Sequence, residues 1–312
     1  MRKTTPFAFV ISAALALGLA SRAAQSPPAD PLVRENATTK LSAHVYLIPD
    51  NNVPLVPNVG IIVGSRATLV IDTGLGPRNG ETVVRETSKV STAPELYLSV
   101  THVHPEHDLG AQAFPPTTKM IRSRDQDADI AEFGLQLAGT FASQSPVRAD
   151  LLKDAAFRNT DISFDREYSL DLGGVRVRMA AVGPTHTRGD TVFFVEGDDV
   201  LFAGDVVMSA FPAFASPYSS VRVWLAALDR LQSMKPTTIV PSHGRLVDAS
   251  MIATYRDYLR GVQVRARELK QAGKSADEAG ATIQTEMQQK FPDMPQPARV
   301  PAAVQSAYRE LP

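Results

Sequence analysis

The chain has 312 residues, 44% of them hydrophobic and 21% charged, with a formal net charge of −1. That composition is ample for a packed core, and it lacks the basic excess that a nucleic-acid partner would need. There is no cysteine, which excludes disulfides, a lipidated cysteine and any thiolate metal ligand.

Residues 1–23 read as a secretory signal peptide. Arg2 and Lys3 precede an apolar run over 7–19, and the small residues Ser21 and Ala23 stand at the cleavage offsets. Cleavage near Ala23 would remove Arg2, Lys3 and Arg22 and no acid, moving the charge from −1 to −4. The apolar run is too short for an ordinary spanning helix, and no later run is long and apolar enough. A periplasmic or secreted protein with no stable membrane anchor is therefore expected.

Residues 24–40, rich in proline, alanine and polar groups, read as a flexible leader. Strands are predicted over 44–48, 59–63 and 67–71, bounded by Gly, Asn and Pro signals. A helix follows over 78–91 and a buried strand over 96–100. Apolar residues at helical spacing predict a helix over 125–142. Residues 170–182 read as a hairpin around Gly173-Gly174, and 191–203 as another around Gly197-Asp198-Asp199. An amphipathic helix over 221–234 contains Trp224, and 237–240 is a further strand. Strand, strand, helix, strand thus occurs twice, within a domain over 41–248. Residues 249–312 read as a C-terminal helical extension, with helices over 255–271, 276–290 and 300–311. A cap packed on the domain and a substrate-binding or dimer-forming appendage are both open for it.

The chemistry is concentrated in the histidines. Five of the six lie in three short motifs: Thr101-His102-Val103-His104-Pro105-Glu106-His107-Asp108, Gly183-Pro184-Thr185-His186 and Pro241-Ser242-His243-Gly244. Ala203-Gly204-Asp205 lies between the last two. Histidine and carboxylate are the usual nitrogen and oxygen ligands of zinc and similar ions. His102 and His104 alternate by two, so in extended backbone they point the same way. Each cluster follows a predicted strand, where a sheet can hold it in place. His44, outside every motif, reads as a partly exposed strand residue rather than a ligand.

The order H-x-H-x-(D/E)-H, a lone His, Gly-Asp and His-Gly, preceded by Ile71-Asp72-Thr73-Gly74, resembles the metallo-β-lactamase superfamily from about Val45 to His243. The resemblance implies an αββα sandwich, two sheets with helices on their outer faces. It implies two divalent metal ions, zinc foremost, with iron or manganese open. His102, His104 and His186 would bind the first ion, and His107, His243 and Glu106 the second. Asp205 would bridge them, and Asp72 would support the ligand loop. Glu106 departs from the family pattern, which has Asp there. Its longer arm leaves open a ligand, a displaced second metal, or a base that shuttles a proton to the leaving group.

The implied activity is hydrolysis of an ester, thioester, lactone or amide bond in a small molecule with a carbonyl centre, by metal-activated hydroxide. Glu106 and Asp205 are the candidate catalytic carboxylates. A bridging Asp is more similar to the thioesterase and lactonase branches, and the missing cysteine removes the branch with a Cys ligand. Three alternatives differ in class: a periplasmic metallo-β-lactamase, a di-iron enzyme oxidising sulfur or persulfide, and a non-catalytic metal-binding protein. Phe211, Phe214 and Tyr218 follow Asp205, either lining an apolar entrance, with Tyr218 donating to an oxyanion, or packing as a loop.

Overall fold

A computed structural model describes residues 29–208 and 217–312. The signal peptide, the start of the leader, Phe211 and Phe214 lie outside the described residues. The first half of the fold runs β1 (Thr39–Lys40), β2 (Val45–Ile48), β3 (Val59–Val63), β4 (Ala67–Ile71), α1 (Pro77–Val90), β5 (Glu95–Ser99), α2 (Pro105–Asp108), β6 (Lys119–Ser123), α3 (Arg124–Asp129), α4 (Leu135–Ala142), α5 (Pro146–Leu151) and β7 (Ile162–Phe164). The second half runs β8 (Glu167–Asp171), β9 (Arg176–Ala181), β10 (Thr191–Val195), β11 (Val200–Gly204), α6 (Val221–Ser233) and β12 (Thr238–Pro241). The chain closes with α7 (Ser250–Gln271), α8 (Ala276–Lys290) and α9 (Val300–Glu310).

The seven strands β1 to β7 pair in sequence order, and the five others in the order β12-β11-β10-β9-β8. Every residue of β4, β10 and β11 is buried, as near-continuous apolar runs require when both faces are covered. Leu69, Ile71 and Ile121 of the first sheet share one core with Val177, Met179, Phe193 and Phe202 of the second. At Gly60 a Cβ would lie 2.4 Å from the Phe202 ring, so only glycine lets the two sheets close there. Helix α1 covers the outside of the first sheet through Val83. Helix α6 covers the second with Trp224, Leu228 and Leu231, spaced to share one face. The result is the expected αββα sandwich.

The C-terminal helices join that outer core. Tyr255, Leu259 and Val262 of α7, Ile283 of α8 and Val304 of α9 pack with Trp224 and Leu228. They form a cap continuous with the sandwich.

Several details differ from the sequence reading, three of them near the site or its supports. Residues 29–40 do not form a loose leader: Val33 is buried, its N–H donates to Asn79 Oδ1 at 2.7 Å, and Asn36 N–H donates to Glu86 at 2.9 Å. The helix predicted over 125–142 is broken by a π-helical turn at Ile130–Gly134. Strand β6 is absent from the sequence reading because Lys119, Arg122 and Ser123 hide its pattern. Arg122 is nonetheless buried, paired with the buried Asp108, which is how a charged side chain is tolerated inside.

Candidate metal centre

The loops that leave the carboxyl ends of β5, β9, β11 and β12 converge at one edge of the sandwich. They carry the 101–108 motif, His186, Asp205 and His243 respectively. Pro105 opens the short helix α2, where its missing N–H costs nothing. That turn brings Glu106 and His107 back beside His102 and His104.

Three donor groups result. His102, His104 and His186 form one; His102, His107 and Asp205 a second; Glu106, His107 and His243 a third. Within each, the ligand atoms lie within 4.8 Å of one another. His102 Nε2 and His104 Nδ1 are 3.0 Å apart, and His186 Nε2 is 3.4 Å from His104 Nδ1. Asp205 Oδ2 lies 3.3 Å from His186 Nε2, so its carboxylate reaches between the clusters. Glu106 Oε1 is 4.0 Å from His107 Nε2. The longer side chain therefore does reach the His107 and His243 group.

The fit to cations rests on buried polar atoms. Among the described residues, Glu106 Oε2, His107 Nε2 and Asp205 Oδ1 are buried without a hydrogen-bond partner. Unpartnered buried polar atoms are costly. Here three of them, with lone pairs available, sit in the donor set itself. Nitrogen and oxygen donors of this kind suit zinc, iron or manganese.

A supporting layer orients the donors. Asp72 accepts from Thr101 N–H at 2.7 Å and from Thr101 Oγ1 at 3.0 Å, and lies 2.9 Å from His107 Nδ1. Thr101 Oγ1 in turn meets His102 Nδ1 at 3.0 Å. His243 Nδ1 donates to the Val56 carbonyl at 3.0 Å. Each of these contacts occupies one ring nitrogen and leaves the other for the cleft.

Electrostatics follow from burial and crowding. Burial, then the neighbouring histidines, hold the His102 imidazole well below its ordinary pKa. Burial and His186 do the same to His104. Burial pushes His107 down as well, but the charge and hydrogen bond of Asp72 outweigh it and carry the group to about 9. An ion held by His107 would displace that proton. Burial pushes Asp205 up, and the surrounding histidines overcome this and hold it at about 2.

Several supporting residues escaped the sequence reading. Asn58 donates to the carbonyls of Pro241 and Gly244, both at 2.9 Å, and Asp50 accepts from Gly244 N–H at 2.6 Å. Together they hold the His243 turn. Asp190 accepts from Thr187 N–H at 2.8 Å and from the Thr185 hydroxyl, holding the His186 turn. The Thr185-His186-Thr187 and Asp190 spacing was the only local signal for any of these.

Other candidates stand apart. His44 Nδ1 lies 2.8 Å from Asp198 and belongs to no donor group. The Tyr218 hydroxyl donates to Glu132, and the Arg188 guanidinium lies 4.3 Å from its ring centroid. That hydroxyl is engaged with a carboxylate, which corrects the suggestion of an oxyanion donor. Its ring still lines a hollow beside His104.

The model of the metallo-beta-lactamase superfamily matches residues 52–243, the same span that carries every donor. The chain belongs to the metallo-β-lactamase superfamily, whose members include metal-dependent hydrolases. It is 26% identical over 189 residues to a human protein described as acyl-coenzyme A thioesterase MBLAC2, covering 56% of this chain and 66% of that one. It also resembles the metallo-beta-lactamase from Pontibacter korlensis, with a TM-score of 0.58 at 20% identity, over 72% of this chain and 98% of that one. The stereoselective inverting sec-alkylsulfatase Pisa1 from Pseudomonas sp. gives a TM-score of 0.68 at 14% identity, over 88% of this chain and 50% of that one. At such identities the two structures share the fold.

Proposed function

We propose that this protein is an exported binuclear zinc hydrolase that cleaves a carbonyl-centred bond, a thioester or ester foremost. The observation that carries this reading is the donor set with three buried, unpartnered polar atoms at Glu106, His107 and Asp205. In the proposal His102, His104 and His186 would hold one ion and Glu106, His107 and His243 the other, with Asp205 shared between the two groups. When bound, the ions supply Lewis acidity and a water acidic enough to act as nucleophile near neutral pH.

The chain's own groups do the rest. The sandwich edge fixes the donors, and Asp72 and Thr101 hold the ring orientations of His107 and His102. Glu106 lines the cleft, and where it is not held as a tight ligand it can shuttle a proton to the departing oxygen or sulfur. The choice of thioester or ester is supported by the human relative, which is described as an acyl-coenzyme A thioesterase. No observation favours the β-lactam, di-iron or non-catalytic alternatives over it.

Purified protein should contain zinc and turn over simple acyl thioesters or esters, with loss of both on chelation and return on adding zinc. Iron with oxygen consumption, or metal without turnover of any ester, thioester, lactone or β-lactam, would overturn the reading. Export is part of the proposal. Protein recovered from the periplasm should start near Ala24, and an intact Met1 there would refute cleavage.

A further inference from the structure

The donor set opens on two compartments of opposite character. A cleft of about 700 Å³ is lined by Glu106, Asp205 and His243 and also by Arg148, Arg299 and Gln296. A hollow of about 320 Å³ is walled mainly by Phe133, Leu137, Pro217 and Tyr218, and the arginine that also lines it, Arg188, is neutralised by Asp129 and Glu132. His104 and Leu137 line both, so the two compartments meet at the donors.

The arginines are the unusual feature. Arg148 lies half-buried on α5, and its guanidinium donates to the neutral Gln144. Arg299 stands exposed at the start of α9. Arg122, Arg188, Arg230 and Arg265 pair with carboxylates. Among the described residues no such pair is formed by Arg148 or Arg299. The carboxylates of the cleft are committed elsewhere: Asp50 accepts from Asn52 N–H at 3.1 Å and Gly244 N–H at 2.6 Å, and Glu106 and Asp205 belong to the donor groups.

We propose that Arg148 and Arg299 select substrates whose leaving group carries an anionic oxyacid, a carboxylate or phosphate, while an apolar acyl chain lies against Phe133, Leu137 and Tyr218. The inference rests on the hydrolase reading above. Guanidinium is a planar fork of donors that matches carboxylate and phosphate in paired hydrogen bonds. The orientation comes from the donor set. Glu106, Asp205 and His243 line the arginine compartment and not the apolar one, which meets the donors only at His104, so the acyl chain lies in the hollow and the leaving group departs on the arginine side. Hydrolysis of such a substrate consumes one water and yields the fatty acid and an anionic thiol or alcohol. The reaction that supplies it is one that acylates an anionic thiol or alcohol. The C-terminal helices thereby gain a role beyond capping, since α9 begins at the residue after Arg299.

The test uses zinc-loaded protein and three non-hydrolysable octyl thioethers, ending in a carboxylate, a phosphate monoester or a neutral carboxamide. Calorimetry should find the anionic ligands bound about tenfold tighter than the amide, as charge-assisted hydrogen bonds warrant. The preferred anion distinguishes carboxylate from phosphate recognition. The ratio should fall to about one in the Arg148→Gln/Arg299→Gln double variant and be partly restored with lysine at both positions. Because a ratio is read, general damage to the fold lowers both ligands together. Equal binding of anion and amide by the wild type, or an unchanged ratio in the double variant, overturns the inference. Failure to hydrolyse the matching octanoyl thioesters, with the binding preference intact, overturns the hydrolase reading instead.

Discussion

The Asp72 carboxylate ties His107 to Thr101: Oδ2 lies 2.9 Å from His107 Nδ1, and Oδ1 accepts from Thr101 N–H at 2.7 Å. One buried side chain therefore orients two parts of the donor set. Asp72 also has φ of 66°, a conformation that asparagine tolerates well. Asp72→Asn thus keeps the backbone and the size while removing the charge. It should lower zinc affinity by about 10–100-fold, as loss of an orienting partner does. Competition with a chromophoric chelator measures this, and unchanged affinity would remove Asp72 from the support of the site.

Glu106 is where the chain departs from its family's usual residue. Its carboxylate reaches the His107 and His243 group with Oε2 buried and unpartnered. Glu106→Asp should retain two metals and most of the rate. Glu106→Gln should lose second-site occupancy or proton transfer, with a rate reduction of about 10²–10⁴-fold. The measurements are kcat and zinc content on all three proteins. A glutamine variant with wild-type rate and both metals would show that Glu106 serves neither purpose.

The C-terminal helices should be inseparable from the domain's stability. Leu259 is 2% exposed and shares a core with Trp224 and Leu228. Leu259→Ala should cost about 2–5 kcal/mol in urea melts. A loss within about 0.5 kcal/mol, typical of surface changes, would mean that α7 is not part of the sandwich's core.

The cap of α8 gives a pH dependence. The Ser275 N–H, then Lys274, hold Glu278 down to about 2. A depressed carboxylate stabilises the fold above its unfolded pKa near 4.5, and that contribution fades as pH falls through about 2. Wild type should therefore melt above Glu278→Gln at pH 7, and the gap should close towards pH 2. A gap independent of pH would show that the charge of Glu278 does not support the cap.

Much of the fold was visible in local pattern. Strands β3, β4, β10 and β11 are apolar runs bounded by turn signals, and α6 shows one apolar face. Strand β6 was hidden because burial of Arg122 depends on Asp108, which lies on another element. The ordering of residues 29–40 was hidden as well, since Asn79 and Glu86 on α1 hold them through contacts about 50 positions apart in the chain.

By itself the sequence marked the side chains that the fold gathers into the donor groups, because histidines spaced by two just after a strand must point together. It also held the clue to Asp72, standing directly after a buried strand. Tertiary structure alone decided that Glu106 reaches the His107 and His243 group, since that depends on the turn at Pro105 and the approach of β12. It alone placed Asn58 beneath Gly244, 186 positions away, and brought Arg148 and Arg299 to one cleft. Isolated polar residues have no period and no neighbours in the chain to mark them, so their partners exist only once the sheets and the helical cap have closed.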